Sequence, residues 1–184
     1  MQKILRFQNY INESKFITNI TPGYYQEPKN VTKELTELVY SSAISQENVK
    51  KVNKFLKKNK GNTINLYHGT SSDIDLENEG ILTTKNRTKK SYQSEPGYVY
   101  LSFYKDSAKL FGDIAYPNSD TKVVEVEIPI SKLSPDKDQL YNKRMNSNNK
   151  IGEDLGSSLI YGNGFRVKGN IPPYMIKNVE VYKK

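Results

Sequence analysis

The sequence predicts an α+β fold: an antiparallel sheet with short helices, preceded by a two-helix extension. Three observations carry this. Strand-like segments outnumber helical ones after residue 62. Within 121–129, Val124, Val126 and Ile128 alternate with Glu125 and Glu127, the pattern of a strand buried on one side. Between 31 and 61, apolar residues instead recur at helical spacing.

Residues 1–30 show weak periodicity and end in TPGYYQEPKN, where Pro22, Gly23 and Pro28 act as punctuation, so they read as an N-terminal arm. Val31, Leu35, Leu38 and Val39 then mark a helix that Asn30 or Thr32 can cap. A second helix follows on Val49, Val52, Phe55 and Leu56. Its other face carries Lys50, Lys51, Lys54, Lys57 and Lys58, and Gly61 stops it. Two short amphipathic helices need a surface to lie on, so 31–61 should form an extension packed on a core domain of 62–184. In that domain INLYHGT reads as a strand, and Ser71 or Ser72 caps a short helix through Glu79, closed by Gly80. The polar stretch 85–97 is a long loop, YVYLSF a strand, and KDSAKLFG a helix with Ala108 and Phe111 on one face. Residues 142–157 read as a second long loop, SLIYGNGFRVK as a hairpin around Asn163–Gly164, and IKNVEVYK as the last strand. Loops that long in a compact domain are functional or disordered.

Composition narrows the function classes. The hydrophobic fraction is 35% and the mean hydropathy −0.74, partly offset by 14 tyrosines, each of which can bury a ring while its tip stays wet. With no cysteine, disulfides, thiolate metal sites and cysteine nucleophiles are excluded; with His68 as the single histidine, no familiar zinc site is expected. No apolar run reaches membrane-spanning length and the N-terminus lacks the apolar stretch of a secretory signal, so a soluble cytoplasmic protein is expected. The net charge of +8 is concentrated at the front: residues 1–60 hold 11 Lys and Arg against 5 acids, and 61–184 hold 17 against 15. A solvated helix face accounts for this surplus, which would also steer an acidic partner or nucleic acid.

Four segments carry chemistry. Leu66-Tyr67-His68-Gly69-Thr70 comes first. Tyr98-Val99-Tyr100-Leu101-Ser102 follows, then Phe111 eleven residues beyond Tyr100. The last is 163–176, containing Asn163-Gly164-Phe165 and Ile171-Pro172-Pro173. Taken singly, His68 is a hydrogen-bonded histidine beside a turn, and Tyr100 and Phe111 are core rings. In this order the segments resemble the ADP-ribosyltransferase superfamily, in the His-Tyr-Glu branch typified by diphtheria-type toxins and poly(ADP-ribose) polymerases. They are also similar to the tRNA 2′-phosphotransferases, which share that fold and read Asn-Gly followed by Val-Pro-Pro near their end. The resemblance spans about residues 64–182 and does not reach 1–60.

The resemblance implies a split antiparallel sheet that binds NAD as co-substrate without a Gly-rich fingerprint. It implies that His68 bonds a ribose hydroxyl, that Thr70 supports the same edge, and that Gly69 lets the carboxamide approach the backbone. Tyr100 and Phe111 would face the nicotinamide ring, with stacking adding about 1 kcal/mol beyond burial, and Ser102 lies on the same strand as Tyr100. His68 and Tyr100 are thus the expected catalytic residues, with His68, Gly69, Thr70, Tyr100, Ser102 and Phe111 holding the cofactor and no metal involved. The family's catalytic glutamate falls on Gly164, which cannot stabilise a developing cation. Glu153 or Asp154 would have to reach in, or the protein would follow the phosphotransferases, which rely on arginines, or it would bind without turnover. Only Arg6, Arg87, Arg144 and Arg166 exist, and Gly112-Asp113 stands where a family arginine is expected. Glu125-x-Glu127 is similar in letters to the Glu-x-Glu of arginine-modifying transferases, but outward carboxylates on a half-buried strand explain it better.

The opening MQKILRFQNYINES resembles the N-termini of tailed-phage proteins, and Ile11-Asn12-Glu13 resembles a prohead-protease cleavage signal, a pattern so short that Leu35-Thr36-Glu37 meets it by chance. The expected function is therefore an NAD-dependent ADP-ribosyltransferase modifying a macromolecular target, protein or nucleic acid. A phage origin would add host takeover, a host cytoplasmic location and association with the capsid. The alternatives are an RNA 2′-phosphotransferase and a non-enzymatic module, either an ADP-ribose binder or a structural virion component. The loops 85–97 and 142–157 are expected to choose the acceptor.

Overall fold

The structure, a computed structural model, describes residues 27–40, 44–83, 95–145 and 150–184. Nearly all of the expected arm, with Ile11-Asn12-Glu13, and most of the 85–97 loop lie outside these residues. The described chain forms five helices, α1 (Thr32–Tyr40), α2 (Gln46–Lys58), α3 (Lys105–Ala115), α4 (Lys137–Met145) and α5 (Leu155–Gly162). Its six strands are β1 (Thr63–Ser71), β2 (Tyr98–Ser102), β3 (Thr121–Pro129), β4 (Leu133–Pro135), β5 (Gly164–Lys168) and β6 (Ile176–Tyr182). The strands make one sheet in the order β4-β5-β2-β1-β3-β6, each neighbouring pair antiparallel. The α+β architecture expected from the sequence is present. No helix of the described residues is long and apolar enough to cross a membrane.

The two N-terminal helices form where their apolar spacing and caps place them. Asn30 Oδ1 accepts from Thr32 N at 3.0 Å, opening α1, and Leu35 and Val39 are its buried residues. Ser45 caps α2 by accepting from Asn48 N at 3.2 Å, with Glu47 in the first turn and Lys57 and Lys58 in the last, the arrangement a helix dipole favours. Val31, Leu35, Val39, Val49, Val52 and Leu56 belong to the same apolar cluster as Leu66, Val126 and Phe165 of the sheet. Asn53 completes the join: its amide accepts from Gly156 N at 2.8 Å and donates to Asp154 at 2.7 Å, tying α2 to the start of α5.

The sheet has a strong half and a parted seam. β1 and β3 stay in register over nine residues, from Thr63 opposite Pro129 to Ser71 opposite Thr121. β2 and β5 are paired throughout β2, from Tyr98 opposite Lys168 to Ser102 opposite Gly164. Between them, β1 and β2 share a single registered pair, Tyr67 with Ser102, and then diverge. Glu125 and Glu127 hold Asn65 at 2.7 Å and Thr63 at 2.5 Å across β1, and Glu127 pairs with Lys177 at 2.7 Å. Both carboxylates are thereby occupied in surface cross-strand bonds.

Three expectations are corrected. No helix runs from Ser71 to Glu79: β1 continues through Ser71, whose hydroxyl serves Asp73, and turns lead to Gly80 at φ +68°. Residues 142–157 are not one loop, since α4 extends to Met145 and α5 begins at Leu155. Nor is 158–168 a hairpin. Leu159 and Ile160 lie in α5, and Asn163, at φ 59° and ψ 21°, is its left-handed C-cap before β5 starts. A type I′ turn and a helix C-cap demand the same left-handed backbone, so Asn-Gly fits either.

Candidate functional site

The parting of β1 from β2 opens a cleft of about 1210 Å³, lined by Tyr67, His68, Gly69 and Thr70 on one side and by residues 98–102 on the other. The His68 ring spans the seam. Its Nδ1 lies 2.9 Å from the Tyr100 carbonyl oxygen, and since a carbonyl only accepts, Nδ1 carries a proton; in the neutral ring this makes Nε2 the accepting nitrogen. All six residues singled out from the sequence, His68, Gly69, Thr70, Tyr100, Ser102 and Phe111, line this one cleft. Thr70 and Ser102 are buried at its base, and Phe111 is partly exposed on α3. Gly69 differs from expectation in what its missing side chain allows. A Cβ there would lie 1.9 Å from the Ala108 carbonyl oxygen and 2.8 Å from Gly112 N, so α3 takes up the space. Pro172 and Pro173 stand outside, beside the bridge between Ile81 and Ile171.

A second cluster faces the seam from the β2 and α4 side. The Tyr100 hydroxyl donates to Asp138 Oδ2 and accepts from Glu95 N at 2.7 Å. Glu95 pairs with Arg166 at 2.5 Å, and the guanidinium, 4% exposed, lies 4.1 Å from the centre of the Tyr98 ring. Arg166 Nε has no hydrogen-bond partner among the described residues. Burial raises the Tyr100 hydroxyl above its ordinary range, and the Asp138 acceptor raises it further, so the phenol stays protonated. Acids outnumber cations along the lining: Asp73, Asp75, Glu79, Glu95, Asp136, Asp138 and Glu153 face Lys137 and Arg144. On a protein of net charge +8, this cleft is a local acidic field. Among the described residues no group of three or more His, Asp or Glu side chains is arranged to hold a metal.

Asp136 caps α4 through its Oδ1, which accepts from Gln139 N at 3.0 Å. Burial pushes its carboxyl from an ordinary 3.8 up to about 6, with the Gln139 N–H opposing the rise and the Asp138 charge adding to it. The folded protein therefore binds this proton more tightly than the unfolded chain. Asp136 supports folding fully below pH 3.8 and loses that contribution as pH rises through about 6. Asp136→Asn, which keeps the capping acceptor, should be more stable than the parent near pH 8 by up to about 3 kcal/mol and close to it near pH 4. Urea melts of both proteins at the two pH values measure this; equal midpoints at both would remove the buried-charge cost.

At Gly164 the structure adds a reason for glycine: a Cβ would lie 2.3 Å from the Leu101 carbonyl oxygen. The two carboxylates proposed in its stead divide. Asp154 caps α5, accepting from Ser157 N at 2.7 Å and from Asn53, and does not line the cleft. Glu153 does line it and is held by Arg144 at 2.9 Å and Lys137 at 3.6 Å. Of the four arginines, Arg144 lines the cleft and Arg166 lies beneath it, while Arg6 and Arg87 fall outside the described residues. Glu95, Asp136 and Asp138 escaped the sequence reading. The acids of Pro135-Asp136-Lys137-Asp138 mark a helix start, but the link of Asp138 to Tyr100 spans 38 residues. No family model matches the chain, and no curated protein matches it.

Proposed function

We propose that the protein is an ADP-ribosyltransferase-like enzyme that takes NAD into this cleft and modifies a macromolecular target. The observation that supports this most is the seam itself, where one imidazole bridges two diverging strands and shares an opening with Tyr100 and Phe111. The residues suit NAD in three ways. The cleft has the size of a small-molecule site and more. In its neutral form His68, oriented by the Nδ1 bond to the Tyr100 carbonyl, presents an Nε2 acceptor of the kind a ribose hydroxyl donor needs. The acidic lining favours the cationic pyridinium end of NAD, where carboxylates aimed at a developing positive charge are worth a few kcal/mol, while Lys137 and Arg144 are the lining cations that its pyrophosphate would have to meet. When bound, NAD supplies the activated glycosidic bond; the chain's own part is to hold the ribose, clasp the ring and exclude water.

Calorimetry with NAD, combined with chromatography of released nicotinamide, tests the reading. The parent protein should bind NAD and release nicotinamide, and His68→Ala should reduce release by about a hundredfold or more. Unchanged turnover in His68→Ala would discard the site. Gly164, with no room for a carboxylate, favours a second reading, a binder of ADP-ribose-like ligands without turnover. Heat on binding with no nicotinamide released would select it. Neither heat nor release would remove both.

A further inference from the structure

We propose that Asp138 is the general base of the cleft and that Tyr100 positions it. This rests on the NAD reading above and names the group that would do its chemistry. Four carboxylates stand on the β2 and α4 side, and three are committed. Glu95 is paired with Arg166 at 2.5 Å, and Glu153 with Arg144 at 2.9 Å. Asp136 is buried, 6% exposed, with its Oδ1 on the Gln139 N–H. Asp138 has no cation within ion-pairing distance among the described residues and is partly exposed in the cleft lining.

Its orientation is fixed through one oxygen. Oδ2 accepts the single proton a phenol can give, from Tyr100, and lies 3.3 Å from Glu95 N. Oδ1 makes no hydrogen bond among the described residues. The strand that carries Tyr100 also gives its carbonyl to His68, so one residue sets both the imidazole and the carboxylate. That is the geometry of a base held by a second group, with an atom left over to take a proton.

The step balances without a further reagent. An acceptor bearing an X–H bond attacks C1′ of the nicotinamide ribose, and the X–C1′ bond forms. The C1′–N bond breaks, its electron pair moves to the pyridinium nitrogen, and neutral nicotinamide leaves. The proton of X–H passes to Asp138 Oδ1 and from there to water. With water as the acceptor, the products are ADP-ribose, nicotinamide and one proton.

Steady-state NAD cleavage by the full chain provides the test. Asp138→Asn, which keeps an acceptor for Tyr100, should lower kcat by about a hundredfold or more while KM for NAD changes by about threefold or less. Added formate should restore part of the rate of Asp138→Ala, which a merely structural role would not allow. Should Asp138→Asn fail to fold, Tyr100→Phe carries the test, because it keeps the carboxylate and removes its positioning; kcat should again fall with KM nearly unchanged. A parent that cleaves NAD beside an equally active Asp138→Asn, or a folded Asp138→Ala indifferent to formate, overturns the role of Asp138 and leaves the NAD reading standing. A parent silent toward NAD overturns both.

Discussion

Replacing Gly69 with alanine should leave little folded protein. The added Cβ would sit 1.9 Å from the Ala108 carbonyl oxygen, 2.8 Å from Gly112 N and 2.9 Å from the Ala108 carbonyl carbon. All three are backbone atoms of α3, so no rotamer change relieves the contact. Only a shift of the helix does, and Ala108, 1% exposed, is packed where the helix would have to move. Gly112 is also close-packed, though less severely, since its own Cβ would meet the Thr121 Cγ2 methyl at 2.6 Å and Gly69 backbone atoms at 3.2 Å. Overpacking a core costs about 1–3 kcal/mol when side chains can yield, and here they cannot. We expect a loss of at least about 3 kcal/mol, a large share of the roughly 5–15 kcal/mol that holds a domain folded. The urea midpoint measures it. A midpoint equal to that of the parent would mean that α3 does not lie on β1 as described.

Gly164→Glu, the substitution that would supply the glutamate the family resemblance leads one to expect, should instead destabilise the fold around the cleft and, on the proposed NAD-cleavage reading, remove nicotinamide release. A side chain there drives its Cβ to 2.3 Å from the Leu101 carbonyl oxygen, on the strand to which β5 is paired. The Gly164 carbonyl is also held, accepting from Ser158 Oγ at 2.6 Å, while the same hydroxyl accepts from Asp136 N at 2.7 Å. Pushing β5 away therefore loosens β2, α5 and the start of α4 together, and with them Tyr100 and Asp138. We expect a cost of about 3 kcal/mol or more and no gain in nicotinamide release. A folded variant that releases nicotinamide faster than the parent would overturn the steric account and place the site's missing charge at 164.

How much of this was legible in the sequence depends on which force shaped each element. β3 was read with its observed boundaries because one face meets the core and the other meets water, and its residues alternate accordingly. The helices α1 and α2 were legible for the same reason at the other period. By contrast, α5 was misread: Gly156, Ser157, Ser158, Leu159 and Ile160 are all buried, so it carries no amphipathic stripe. Its small residues are selected by contact with α2 and β5, and those contacts cross far too many residues for a local pattern to show. In α4 only Leu140 is buried, again too little for a period. In the site, His68 and Tyr100 stood out through motifs on adjoining strands. Asp138 does not, because its bond to the Tyr100 phenol joins residues 38 apart in sequence.

The single registered pair between β1 and β2 has a further consequence for affinity. A ligand entering between two fully laddered strands would first have to strip backbone hydrogen bonds, each worth about 1 kcal/mol net. Here the strands have already separated beyond Tyr67 and Ser102, and the Tyr100 carbonyl is satisfied by an imidazole instead of a neighbouring amide. The groove is preorganised to that extent: a guest entering it would have no strand pairing to break first, which removes one of the costs of association.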